Sequence, residues 1–111
     1  MGIVIKWFIN AFSLYIVSKI LVGITVSDFG SALVAVLIIG LINVLIKPLL
    51  LLLTLPINLL TLGLFTFVIN GFLLLFAGSI TPGFKVDGLL TAMIASVLIS
   101  IISTILQTLA K

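Results

Sequence analysis

Asp28 and Asp87 are the only acids in a chain of 111 residues that has neither histidine nor cysteine. Without a thiol there is no disulfide, no thiolate metal site and no sulfur nucleophile. Without imidazole the commonest general base and metal ligand is missing. Each aspartate follows a Gly-containing break and precedes an apolar run, the setting of a helix N-cap, where a carboxylate accepts from free N–H groups and suits the helix dipole. The pattern points away from an enzyme, and no catalytic, cofactor or metal site is expected. What remains is amide and hydroxyl chemistry inside apolar runs. Asn10, Asn43 and Asn70 are mid-run amides, costly in lipid without a partner. Ala92, Ser96, Ser100, Ser103 and Gln107 fall within about 80° of arc at about 100° per residue. Earlier in the chain, the matching stripe reads Ala32, Val36, Gly40, Asn43 and Lys47. Such faces either pack helices closely, as do Gly71 and its neighbours Gly63 and Gly78, or line a polar path once copies assemble.

The elements that carry these residues follow from composition. At 64% hydrophobic and 6% charged, the chain is far from the roughly 45–50% apolar and ~25% charged of a soluble domain. About 20 apolar residues cross a hydrocarbon layer as helix, and four such runs can be read, at 4–22, 30–47, 57–80 and 89–108. No inside/outside alternation suggests a barrel. Lys6 precedes the first run, but no small-residue cleavage site is evident near Val22 or Gly23, so the span is expected to be retained. Five lysines giving a net charge of +3 are too scattered for a nucleic-acid surface.

A repeat organises the runs. Asn10, Phe12, Leu14, Ile20, Gly23, Val26, Ala32, Ala35, Ile39 and Ile42 match Asn70, Phe72, Leu74, Ile80, Gly83, Val86, Ala92, Ala95, Ile99 and Ile102, sixty positions later. Copies 10–46 and 70–106, joined by a connector at 47–59, predict an all-α membrane protein of four transmembrane helices. Its two tandem hairpins form a parallel repeat within a single integral membrane domain, 1–111. Such a repeat places its axis along the membrane normal, which argues against an inverted-repeat transporter.

In the second break Pro82-Gly83 is a type II turn pair, Val86 is expected to bury its side chain, and Asp87 to cap the next helix. In the first, Gly23 and Val26 take the matching places and Ser27 or Asp28 the cap. Pro48 should kink or end the second span, with 49–56 continuing it past the kink. Lys6, Lys47 and Lys111 then share one side with no acid, whereas Lys19 and Lys85 face Asp28 and Asp87 on the other. The positive-inside rule puts both termini in the cytoplasm of a bacterial inner membrane. Trp7 joins Lys6, Lys47 and Lys111 as a cytoplasmic anchor, in the interfacial belt, and Lys19 snorkels to the headgroups.

The stretch Gly40 to Pro48, then Leu52-Leu53-Thr54-Leu55-Pro56, Leu59 to Phe65, and Pro82 to Gly88 resembles the bacterial four-transmembrane phage holin superfamily IV, the YvlD-like membrane proteins. Lys47 stands where relatives commonly carry Arg, and the first hairpin is a degraded form of the second. The resemblance implies a membrane protein that oligomerises and opens the inner membrane. The residues themselves point to a structural or partner-binding membrane protein, which the resemblance links to envelope integrity. A holin-like pore is the alternative, and a dimeric small-ion or lipid transporter a lesser one. Expected partners are the lipid bilayer and a second copy or another membrane protein, with no nucleic acid and no small-molecule ligand.

Overall fold

Where backbone groups have no water to bond, they must bond to one another, and helices do this within a single segment. In a computed structural model, which describes residues 2–110, the chain runs α1 (Ile3–Ile20), β1 (Ile24–Val26), α2 (Phe29–Leu45), α3 (Lys47–Leu53), α4 (Leu55–Leu60), α5 (Phe65–Ile80), β2 (Phe84–Val86) and α6 (Leu89–Leu109). Lys111, one of the expected anchors, lies outside the described residues. Helices α1 and α6 are each long and apolar enough to cross a bilayer. The α2–α3 pair meets the same requirement together, bent by 42°, while α5 has only 16 residues.

The breaks are made by identifiable residues. Gly23 (φ +106°) and Gly83 (φ +78°) supply left-handed turns ahead of the two strands, and Pro82 precedes Gly83 as a type II turn requires. At the α2–α3 bend Pro48 occupies the first turn of α3, where its missing N–H costs nothing. Helix α3 is thus the kinked extension expected from the sequence, but it stops at Leu53.

The run 57–80, expected as one helix, is interrupted. Leu62 N–H donates to the Leu59 carbonyl at 3.3 Å and Gly63 N–H to the Asn58 carbonyl at 2.7 Å. This is the paired reversal that ends a helix with a left-handed residue. Leu62 itself takes that position, at φ +57°, a conformation that costs a branched side chain about 1–2 kcal/mol.

Strands β1 and β2 pair antiparallel with Ile24 opposite Val86, Thr25 opposite Lys85 and Val26 opposite Phe84. Two further bonds extend the ladder: Ser27 N–H to the Gly83 carbonyl and Asp87 N–H to the Gly23 carbonyl, both 2.8 Å. Alternation gives this ribbon an apolar inner face, with Ile24, Val26 and Phe84 buried, and an outer face of Thr25 and Lys85. A ribbon this small is marginal by itself, so its place depends on the helices it covers.

Beneath it the four long helices form a ring. Helix α1 packs on α2 and α6, α5 packs on the same two, and the diagonal pairs α1/α5 and α2/α6 do not touch. Small residues make the contacts: Ala11 and Ser13 on α1, Ala32 and Ala35 on α2, Ala77 on α5, and Ala92 and Ala95 on α6 are fully buried. The tightest approach is at Gly71, where an added Cβ would lie 2.9 Å from the Met93 backbone nitrogen on α6. Gly40, by contrast, has nothing within 4 Å of such a carbon. Gly71→Ala is therefore expected to destabilise the protein by about 1–3 kcal/mol through overpacking. Gly40→Ala should be neutral or slightly stabilising. Titrating both variants with SDS in micelles, read by circular dichroism, checks this; equal midpoints would mean that α5 and α6 do not meet at Gly71.

Candidate functional site

Because the diagonal helices stay apart, the centre of the ring holds a cavity of about 360 Å³. It is built from the polar stripes. Helix α1 contributes Asn10; α2 contributes Gly40 and Asn43; Lys47 enters from the bend; α5 brings Asn70; and α6 lines one wall with Ser96, Ser100, Ser103 and Thr104. Every candidate for a helix interface or polar path lies here except Gly71, which is taken up by the α5–α6 contact. Toward the sheet the cavity is closed by Leu14, Leu73 and Leu74, all buried. Away from the sheet Gly40, Asn43, Ser100 and Thr104 are exposed, so the cavity is a vestibule with one closed end.

Part of its polar lining is satisfied internally. The Ser103 hydroxyl donates to Asn10 Oδ1, and Gln107 Nε2 donates to Ser103 Oγ at 3.0 Å, tying α6 to α1. The Ser96 hydroxyl donates back to the Met93 carbonyl at 2.8 Å. The side chains of Asn43, Asn70 and Lys47 have no hydrogen-bond or ion-pair partner among the described residues. Lys47 was expected as an anchor at the membrane surface; it is half-buried and lines the vestibule. Its place in the α2 stripe, one turn past Asn43, was the signal for this.

The other expected residues separate in informative ways. Trp7, assigned to an interfacial belt, is half-buried, and its indole N–H donates to the Leu33 carbonyl at 2.9 Å, stapling α1 to α2. Lys6 is exposed near the start of α1. The Lys19 ammonium lies 4.9 Å from the centre of the Tyr15 ring, a cation–π contact. Val86 is half-buried against Gly78, while Phe84, which the sequence did not single out, is the fully buried residue of β2.

The two aspartates, expected to act alike, do not. Asp28 caps α2, its Oδ1 accepting from Ser31 N–H at 2.7 Å. Asp87 caps nothing: Gly88 is the residue before α6, with no side-chain bond there, and Asp87 instead gives its backbone N–H to the sheet ladder. Helices α2 and α6 start at equivalent positions, Phe29 and Leu89, and Asp87 is the counterpart of Ser27, one residue too early to cap, while Gly88 stands in the capping place of Asp28. Among the described residues no group of three or more His, Cys, Asp or Glu side chains comes together.

A helical bundle with its polar side chains gathered inside and apolar side chains exposed outside defines a small integral membrane protein. The chain belongs to the family described as mycobacterial 4 TMS phage holin, superfamily IV, whose model matches residues 1–105. It is 42% identical over 108 residues to the uncharacterized membrane protein YvlD of Bacillus subtilis (strain 168), covering 93% of this chain and 91% of that protein. It is also 42% identical over 74 residues to the uncharacterized protein SCO3922 of Streptomyces coelicolor (strain ATCC BAA-471 / A3(2) / M145), covering 63% of this chain and 59% of that one. No solved structure matches the chain.

The unequal aspartates give a direct check. Asp28→Ala is expected to cost about 1 kcal/mol, the usual worth of a lost cap. Asp87→Ala should stay within about 0.5 kcal/mol of wild type, as exposed side chains without partners do. Comparing SDS unfolding midpoints of the two variants decides it, and a larger loss at Asp87 would contradict the capping assigned here.

Proposed function

We propose that this chain is a structural or partner-binding protein of the bacterial inner membrane, supporting envelope integrity by stabilising the bilayer or a larger complex. In this reading it is not an enzyme. Four spans descend from a duplicated hairpin, and the ribbon lies outside. Both termini and the connector face the cytoplasm, where Lys6 and Lys47 meet the positive-inside preference.

The observation that carries this reading is the closed vestibule. A pore needs a polar path from one face to the other, and here the polar side chains converge on a space that Leu14, Leu73 and Leu74 block toward the sheet. The outward surfaces of the helices are apolar, with Phe8, Phe12, Leu37, Leu41, Phe72, Phe76, Ile94 and Ile101 among the exposed side chains. Contact with lipid, a second copy or another membrane protein suits such surfaces. A water-lined seam between copies does not.

Controlled expression in a bacterium carrying a membrane-potential dye tests the proposal. The expected result is an unchanged potential at verified membrane levels, for wild type and for Asn43→Leu and Asn70→Leu alike. Abrupt depolarisation suppressed by either substitution would replace this reading with the holin-like pore that the family description names.

A further inference from the structure

Lys47 is an unusual residue for its position. It opens α3 at the 42° bend of the α2–α3 pair, so it interrupts a stretch that is long and apolar enough to cross a bilayer when the two helices are taken together. A lysine at such a place is expensive unless something answers its charge. The two aspartates cannot: both stand at the sheet end, and the 17 residues of α2 separate Lys47 from Asp28, a length of about 25 Å. The negative end of the α2 dipole favours a cation there but adds no charge. The vestibule that the lysine lines also holds donors: the amides of Asn43 and Asn70, which have no partner among the described residues, and the hydroxyl of Ser100. Among the described residues no carboxylate lines the space.

A concave site lined by one cation together with amide and hydroxyl donors, and open at one end, suits an oxyanion. Lysine serves phosphate well as a point charge, without the planar fork that arginine offers a carboxylate. The helix that Lys47 opens, α3, also carries exposed Leu49, Leu52 and Leu53, an apolar surface suited to an acyl chain.

We infer that the vestibule binds a phosphate-class oxyanion against Lys47, Asn43 and Asn70. The inference rests on the membrane-protein reading above and names a ligand class for its central cavity. Two sources share this chemistry, the phosphodiester of an anionic phospholipid and free phosphate.

The full-length chain in phosphatidylcholine nanodiscs supplies the test, because Trp7 is its one tryptophan and lies one turn from Asn10. Energy transfer from Trp7 to dansyl-labelled phosphatidylglycerol reads binding, with unlabelled phosphatidylglycerol and inorganic phosphate as competitors. Saturable transfer is expected, weakened about tenfold or more by Lys47→Gln, since a charged hydrogen-bond partner is lost. Lys47→Arg should restore most of it, and Asn43→Leu, which leaves every charge in place, should weaken it less. Lys19→Gln and Lys85→Gln, which remove charge at the sheet end, should leave it unchanged.

Displacement by phosphatidylglycerol alone identifies a lipid headgroup; displacement by phosphate as well identifies a site for the free oxyanion. No saturable transfer and no displacement by either competitor would overturn the inference. So would equal binding by wild type and a folded Lys47→Gln variant, or a Lys47→Gln effect on the unfolding midpoint alone. If Lys47→Gln does not fold, unaltered binding by Asn43→Leu is the overturning result. Depolarisation in the expression assay would remove the closed-bundle reading while leaving this binding result to stand on its own.

Discussion

Hydrocarbon offers no hydrogen bonds, so every polar group that this chain carries into it needs a partner from the chain itself. Most of the structure can be understood as answers to that requirement. Serines and threonines on the helices bond back to carbonyls three or four residues earlier, as Ser13 does to Ile9, Ser18 to Tyr15 and Ser79 to Phe76. The connector closes on Asn58, whose Nδ2 donates to Thr54 Oγ1 and whose Oδ1 accepts from the Thr66 hydroxyl, both at 3.2 Å. The Thr61 hydroxyl accepts from Phe65 N–H across the break that precedes α5. Two helix breaks, which alone would leave extended backbone bare, lie edge to edge and satisfy each other as β1 and β2. Against this background the partnerless groups at Lys47, Asn43 and Asn70 stand out, and they share one space.

The shape of that space follows from side-chain size along each helix. On the sheet side the contacts are alanine and glycine: Ala11, Ala32, Ala35, Gly71, Ala77, Ala92 and Ala95. Small residues let backbones approach and gain dispersion contacts where burial from water gives no drive. Beyond them on every helix the inward positions pass to longer polar groups, Asn10, Asn43, Asn70 and Ser103, and the vestibule begins there. The bend at Lys47-Pro48 then turns α3 out of line with α2. A single gradient from small to polar thus closes one end of the bundle and opens the other.

Much of this was legible in the sequence because helical periodicity is a strong signal. The polar stripes on α2 and α6 and the breaks at Gly23 and Pro82-Gly83 could be read directly, as could the cap at Asp28. What could not be read was long-range or masked by composition. Three-residue strands carry no usable period, and their pairing joins positions sixty apart, so Phe84 gave no sign of its burial. The break before α5 hides in an apolar run because the residue that ends α4 in the left-handed conformation is Leu62, with Gly63 only second. Asp87 resembles Asp28 in setting but stands one register position earlier, at the counterpart of Ser27, so it ends the ladder and Gly88 precedes α6. Trp7 fitted an interfacial rule well enough that its bond to Leu33 went unsuspected. The strand pairing and the Trp7 bond are tertiary contacts that no local rule reports, whereas the break at Leu62 is a local helix end that composition conceals.

The two ends of the bundle differ in charge as well as in shape. Around the sheet, Lys19 and Lys85 are offset by Asp28 and Asp87, so that end carries little net charge; at the other end Lys6 and Lys47 have no acid near them in the chain. Charge bias and packing gradient therefore run in the same direction. Under the proposed orientation the tight, neutral, sheet-covered end faces outward and the open, cationic end faces the cytoplasm. A lysine that only marked orientation could sit anywhere near the interface and snorkel to water. Lys47 instead lies on the inward stripe of α2, one turn beyond Asn43. That register joins the residue that helps orient the chain to the polar cavity at the centre of the ring.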